Sequence, residues 1–136
     1  MALANVGGGY QIGDGNLNEV KLNVTPAPAT ATATATLTVA QVTSGLLLGS
    51  PSTTAASYTL PTVADLEASL GNAKVGSSFD LSVVNVDGSS SGVITLVTNT
   101  GWTLVGLMTV VATAGTAQLF RARKTGATTW SLYRGA

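Results

Sequence analysis

The sequence predicts a mainly β protein: an antiparallel β-sandwich or jelly-roll-like barrel with one or two short helices and an extended N-terminal arm. After residue 78, short apolar segments recur about every ten residues, with glycine-containing turns between them, as in small sandwiches and barrels. Only two stretches carry a helical signature, and both are short. The first 24 residues are rich in glycine and asparagine and poor in apolar side chains, which is typical of an arm.

The arm is predicted to cover residues 1–24, and the β-sandwich domain residues 25–136. Fully extended, such an arm spans roughly 70 Å at about 3.3 Å per residue. It is either a frayed tail or a segment that orders against a neighbouring subunit through its apolar side chains, Tyr10, Ile12, Leu17 and Val20. Asp14 begins a calcium-loop pattern that fails at Glu19 and Thr25, so a string of Asx turns is the better interpretation.

The central part of the chain supplies one predicted edge strand and both helices. Threonine and alanine alternate from Thr30 to Thr36, which predicts a strand over 30–38, with a flexible linker as the alternative for its first half. Thr38 and Gln41 have capping-box spacing, so a short helix is expected over 39–44. A second helix is expected over 63–70, where an apolar stripe recurs at helical spacing and Gly71 follows.

The remaining apolar segments are predicted to be strands. Leu46–Leu48 is expected to be a buried run, and Asp87–Gly92 a hairpin loop. The run Val93–Val97 suggests burial on both faces, for which a subunit interface would provide room. The predicted strands are 57–60, 79–86, 93–98, 102–105, 108–112, 118–124 and 129–134.

Composition narrows the possible functions. The chain has no cysteine and no histidine, so disulfides and thiolate metal sites are excluded and the usual general base is absent. Six basic and six acidic residues balance, which provides no overall field for nucleic acid or an anionic membrane, and the apolar stretch 102–114 is too short to span a bilayer. We therefore expect no catalytic residues, cofactor or metal, and neither a nucleic-acid nor a membrane partner.

The scarcity of charge points to assembly. Charged residues make up 9% of the chain, against about a quarter in ordinary soluble domains, and none occurs from Leu22 to Ala64. Charges keep copies of a protein hydrated and apart, so a chain that lacks them is suited to burial against other subunits. We expect the burial to fall between Thr30 and Leu60.

The one basic cluster is Arg121, Arg123 and Lys124. On a strand, Arg121 and Arg123 share a face, where they would form a small positive patch beside Trp130 or Tyr133. This patch is either a polar contact with an acidic partner or nucleic acid, or an ordinary solvated sheet face.

Four blocks of the sequence resemble, in order, the small virion structural proteins of tailed bacteriophages, particularly cyanophages and marine phages. The blocks are Gly9–Asn16, Tyr58–Thr62, Asn72–Asp80 and Phe120–Arg134. Within that group the resemblance implies a head decoration, or cement, protein on the outer capsid surface of the virion. Its implied partners are the major capsid protein and further copies of itself, as a homotrimer that ties adjoining capsid subunits together.

Two alternatives remain open. The first is a receptor- or glycan-binding head-fibre or tail module, with Trp102, Trp130 and Tyr133 as a stacking platform. The second is a hydrolase, which the scattered acidic residues do little to support, since Asp65 and Glu67 do not face each other on a helix.

Overall fold

The computed structural model describes residues 24–135, which form two β-sheets and two short helices. The helices are α1, Val39–Thr43, and α2, Val63–Ser69. The strands are β1 Ala29–Ala31, β2 Ala35–Thr36, β3 Leu46–Gly49, β4 Ala56–Thr59, β5 Ser78–Asn85, β6 Ile94–Val97, β7 Trp102–Val105, β8 Thr109–Val110, β9 Thr116–Gly126 and β10 Thr129–Arg134. A mainly β, sandwich-like fold with two short helices is therefore confirmed.

Successive strands alternate between the two sheets. The six-stranded sheet has the order β1-β3-β5-β9-β10-β7, and the four-stranded sheet has the order β2-β4-β6-β8. From β1 to β8 the chain crosses to the other sheet after every strand, and each strand from β3 to β6 returns beside the one two earlier in sequence. Strands laid down by such a winding run parallel, whereas a hairpin makes them antiparallel.

The expectation of a largely antiparallel sandwich is therefore wrong. The pairings β1–β3, β3–β5, β2–β4, β4–β6 and β7–β10 are parallel, and β5–β9, β6–β8 and β9–β10 are antiparallel. The predicted hairpin loop at Asp87–Gly92 instead carries the chain from β5 in one sheet to β6 in the other. Within the described residues, β9 and β10 are the one pair of consecutive strands that are also neighbours in a sheet.

One hydrophobic core fills the space between the sheets. Leu47, Val83 and Phe120 enter it from the six-stranded sheet, and Tyr58 and Ile94 from the four-stranded sheet, all at 0% exposure. Gly49 lies where the sheets approach closely: a Cβ there would collide with the Ile94 side chain. Burial of this size is the main stabilising contribution in a domain of this length.

Both helices begin at capped threonines, and at α1 the cap is the one that the sequence predicts. The Thr38 hydroxyl accepts a hydrogen bond from the Gln41 backbone N–H at 3.2 Å, and the Thr38 N–H donates to Gln41 Oε1 at 2.8 Å, which completes a capping box. Gln41 Nε2 also donates to the Thr30 carbonyl, so it ties α1 to β1. The Thr62 hydroxyl caps α2, whose Val63 and Leu66 enter the core.

The alternating Thr-Ala segment forms two strands rather than one. β1 and β2 are separated at residues 32–34, where the chain crosses between the sheets. Among the described strands, both lie at the edge of their sheets, as expected for this segment. The buried Tyr58 hydroxyl holds the crossing in place, lying 3.1 Å from the Ala31 carbonyl oxygen and 2.9 Å from that of Thr32.

Candidate contact surfaces

Strand β9 divides the predicted basic cluster between its two faces. Arg121 and Arg123 are exposed on the outer face, as their spacing predicts. Lys124 points the other way and is only 6% exposed. The expectation that Lys124 contributes to a polar contact surface is therefore wrong, because strand alternation directs its side chain beneath α2.

The outer face of β9 holds a surface ion pair. Asp80 is opposite Arg121 in the β5–β9 register, and Arg121 Nε donates to Asp80 Oδ1 at 2.8 Å. This hydrogen bond, helped by the positive charge, lowers the pKa of the Asp80 carboxyl. Because Arg121 is paired with Asp80, the exposed positive patch is smaller than the sequence predicts. Tyr133 is opposite Arg121 on the other flank, in the β9–β10 register.

Beneath α2, Glu67 joins Lys124 and Trp130. Lys124 Nζ donates to Glu67 Oε1 and, at 3.2 Å, to the Ala127 carbonyl oxygen, and Trp130 Nε1 donates to Glu67 Oε1 at 2.8 Å. The hydrogen bond from Lys124 is the largest cause of a lowered pKa of Glu67, and the hydrogen bond from Trp130 lowers it further. No buried side-chain nitrogen or oxygen atom in the described residues lacks a hydrogen-bond partner, and the cluster attaches α2 to the six-stranded sheet.

The predicted aromatic platform does not form on the surface. Trp102 is 7% exposed and Trp130 is 1% exposed, and their ring centroids lie 6.1 Å apart inside the domain. Trp102 Nε1 donates to the Pro61 carbonyl oxygen at 2.7 Å. Tyr133 alone of the three keeps partial exposure, so this trio cannot stack against a sugar.

The outer face of the six-stranded sheet carries an uncharged apolar surface, here called the outer patch. Leu47 and Val83 point into the core, so their neighbours along the strands point outward. The register places Leu46 beside Ser82 and then Leu119, and Leu48 beside Val84 and then Ala117. The outer patch consists of Leu46, Leu48, Val84, Ala117 and Leu119, of which none is fully buried.

This arrangement corrects the prediction for the leucine run, since only Leu47 belongs to the core. It also explains why the run is apolar at every position. Parallel strands normally have both faces covered, and in β3 and β5 the inner face meets the core while the outer face remains partly open.

A groove of about 530 Å³ opens beside the end of α2, here called the α2–β5 groove. Its floor includes Phe79, whose ring centroid is 5.6 Å from that of Trp130. Among the described residues, no charged side chain lines this groove. The lining residues are Thr43, Ser69, Leu70, Gly71, Asn72, Ala73, Ser77, Ser78, Phe79 and Trp130.

The predicted arm contacts Tyr10, Ile12, Leu17 and Val20 lie outside the described residues. Among residues 24–135, no three metal-binding side chains cluster together. No helix in this part of the chain has the length and apolar character that crossing a membrane requires.

Sequence reasoning missed the Glu67–Lys124–Trp130 cluster and the α2–β5 groove. Glu67 and Lys124 are far apart in sequence, and no spacing rule connects them. The groove has one weak signal, the polar loop around Asn72 that follows an amphipathic helix.

No protein-family model, curated protein or solved structure matches the chain.

Proposed function

We propose that this chain is a decoration, or cement, protein of a tailed-bacteriophage head, which binds the outer capsid surface as a homotrimer and bridges neighbouring major capsid subunits. The proposal starts from the sequence resemblance, and the outer patch is the structural observation that supports it. A bridging subunit needs surface that it can bury against other subunits. Desolvating apolar side chains favours such burial, whereas desolvating unpaired ions opposes it.

The distribution of charge is compatible with this role. Of the described charged residues, Lys124 and Glu67 pair beneath α2, and Arg121 and Asp80 pair at the margin of the outer patch. The outer patch itself has no ionisable side chain. Many copies that bind only the assembled shell would stabilise it by mass action, against the pressure of the packaged genome.

The proposal is tested with capsids that lack the protein. Purified full-length chain is expected to sediment as a trimer, to bind these capsids and to raise their disruption temperature. Leu48→Lys places a charge within the outer patch and leaves the core unchanged, so this variant is expected to weaken trimer formation or capsid binding at least tenfold.

Ser91→Lys, which adds the same charge at an exposed loop position that is not part of the outer patch, is the matched control. It is expected to behave as the unmodified chain does. A monomeric protein that neither binds nor stabilises the capsids contradicts the proposed function. Equal behaviour of Leu48→Lys and Ser91→Lys excludes the outer patch as the contact surface.

A further inference from the structure

The α2–β5 groove combines a partly exposed aromatic ring with neutral polar side chains. Phe79 packs against Trp130 on one side and lines the groove with the remainder of its ring. Leu70 and Ala73 extend the apolar floor. Small-molecule sites have this composition, a mostly apolar concavity with a few polar groups that fix orientation, and volumes of roughly 300–1,000 Å³.

The polar groups at the rim have hydrogen-bonding capacity to spare. Within the described residues, the side chains of Ser69, Asn72 and Ser78 make no hydrogen bond to protein, whereas Thr43 donates to the Val39 carbonyl oxygen and Ser77 accepts from Lys74. An amide and two hydroxyls offer both donors and acceptors at the edge of an aromatic floor.

These features select the class of ligand. An anion or a cation would find no opposite charge among the lining residues. A purely apolar ligand would displace water from the amide and hydroxyls without replacing its hydrogen bonds, which is unfavourable. A neutral saccharide satisfies both requirements, because one face of a pyranose ring presents C–H groups to an aromatic side chain while its hydroxyls donate and accept at the rim.

We propose that the α2–β5 groove is a binding site for a neutral saccharide, with Phe79 contacting the sugar face and Asn72 hydrogen-bonding its hydroxyls. The groove opens to solvent, so it can take one residue of a longer glycan as well as a free sugar. The site lies apart from the outer patch, and the inference does not depend on the proposed function.

The test titrates the full-length chain with neutral monosaccharides, namely glucose, galactose, mannose and N-acetylglucosamine, and with sialic acid as a charged comparison. Amide chemical shifts are followed by NMR. At least one neutral sugar is expected to shift the resonances of residues 69–79 with a Kd of about 1 mM or below, and sialic acid is expected to leave them unchanged.

Two variants and one control locate the site. Phe79→Leu keeps an apolar side chain without the ring, and Asn72→Ala removes the amide, so each is expected to weaken binding at least fivefold. Ser91→Ala, at a distant exposed position, is expected to bind as the unmodified chain does.

The proposal is contradicted if no neutral sugar, at millimolar concentrations, shifts the amide resonances of residues 69–79. It is also overturned if sialic acid binds as well as the neutral sugars, or if both groove variants retain full affinity. Because Asn72 is exposed and outside the core, Asn72→Ala remains informative even if Phe79→Leu unfolds. Capsid binding by the same preparations reports separately on the proposed function.

Discussion

Glu67 accepts hydrogen bonds from both Lys124 and Trp130, and this makes the attachment of α2 sensitive to acid. The lowered pKa of Glu67 means that its carboxylate is favoured in the folded state. Such a group contributes stability above its unfolded pKa, about 4.3 for glutamate, and the contribution is lost as pH falls through the lower folded value.

We therefore expect Glu67→Gln to unfold at lower urea concentration than the unmodified chain at pH 7, and the gap to narrow between pH 5 and pH 3. Urea denaturation followed by tryptophan fluorescence at these pH values measures both effects, since Trp130 is a member of the cluster. Asp65→Asn is the matched control, because Asp65 is exposed on the same helix and makes no ion pair in the described structure. A gap that stays constant with pH would contradict this assignment.

The same cluster shows what the sequence could and could not predict at single residues. Strand alternation predicts that Arg121 and Arg123 share a face, and it also implies that Lys124 points the other way. The partner that makes an inward lysine tolerable is on α2, and that contact depends on the packing of two distant elements. The charge cluster and the opposite direction of Lys124 were therefore implied by the sequence, while the ionic partner that allows Lys124 to be buried was not.

At the level of elements, the turn between β6 and β7 determines how closely α2 can approach the strands. Gly101 has a φ of +91°, and a Cβ at this position would lie 2.6 Å from Val63 Cβ, at the start of α2. Its carbonyl oxygen also accepts the Trp130 N–H at 3.0 Å. Only glycine combines this backbone conformation with such a close approach.

We expect Gly101→Ala to lower the free energy of unfolding by about 3 kcal/mol, of which the left-handed backbone accounts for roughly 1–2 kcal/mol and the collision with α2 for the remainder. Gly115→Ala is the matched control: Gly115 has a φ of +86°, but no atom lies within 4 Å of its added Cβ. This variant is expected to lose only about 1 kcal/mol. Chemical denaturation of both proteins measures the difference. Equal losses in the free energy of unfolding would contradict a contribution from the collision with α2.

Elements were predictable where their signals are local. The capping box at Thr38 and Gln41 identifies α1 because both partners lie within four residues. The pairing of strands was not predictable from the same kind of pattern. β7 pairs with β10 and β5 pairs with β9, and the turn residues of the sequence predict neither of these pairings. Even spacing with glycine turns is typical of hairpins, so it predicted antiparallel pairs where the chain instead crosses between the sheets.

For the whole molecule, the outer patch predicts how self-association should respond to solvent. Interfaces that contain ion pairs weaken as salt screens them, whereas burial of apolar surface is little affected by simple salts and is strengthened by sulfate. If copies associate through the outer patch, the trimer dissociation constant is expected to change less than threefold between 50 and 500 mM NaCl, concentrations across which the Debye length falls from about 14 to about 4 Å.

Analytical ultracentrifugation over this salt range measures the effect, with sodium sulfate at matched ionic strength expected to tighten association. A dissociation constant that rises tenfold with NaCl would instead indicate that the Asp80–Arg121 margin carries the interface.

The position of β10 also has a consequence for synthesis. This strand lies between β9 and β7, and β7 has no other neighbour among the described strands. During synthesis on the ribosome, residues 102–105 therefore cannot pair in this sheet until residues 129–134 have emerged. The nascent chain cannot complete its larger sheet, or present the finished outer face to another copy, until β10 has been translated.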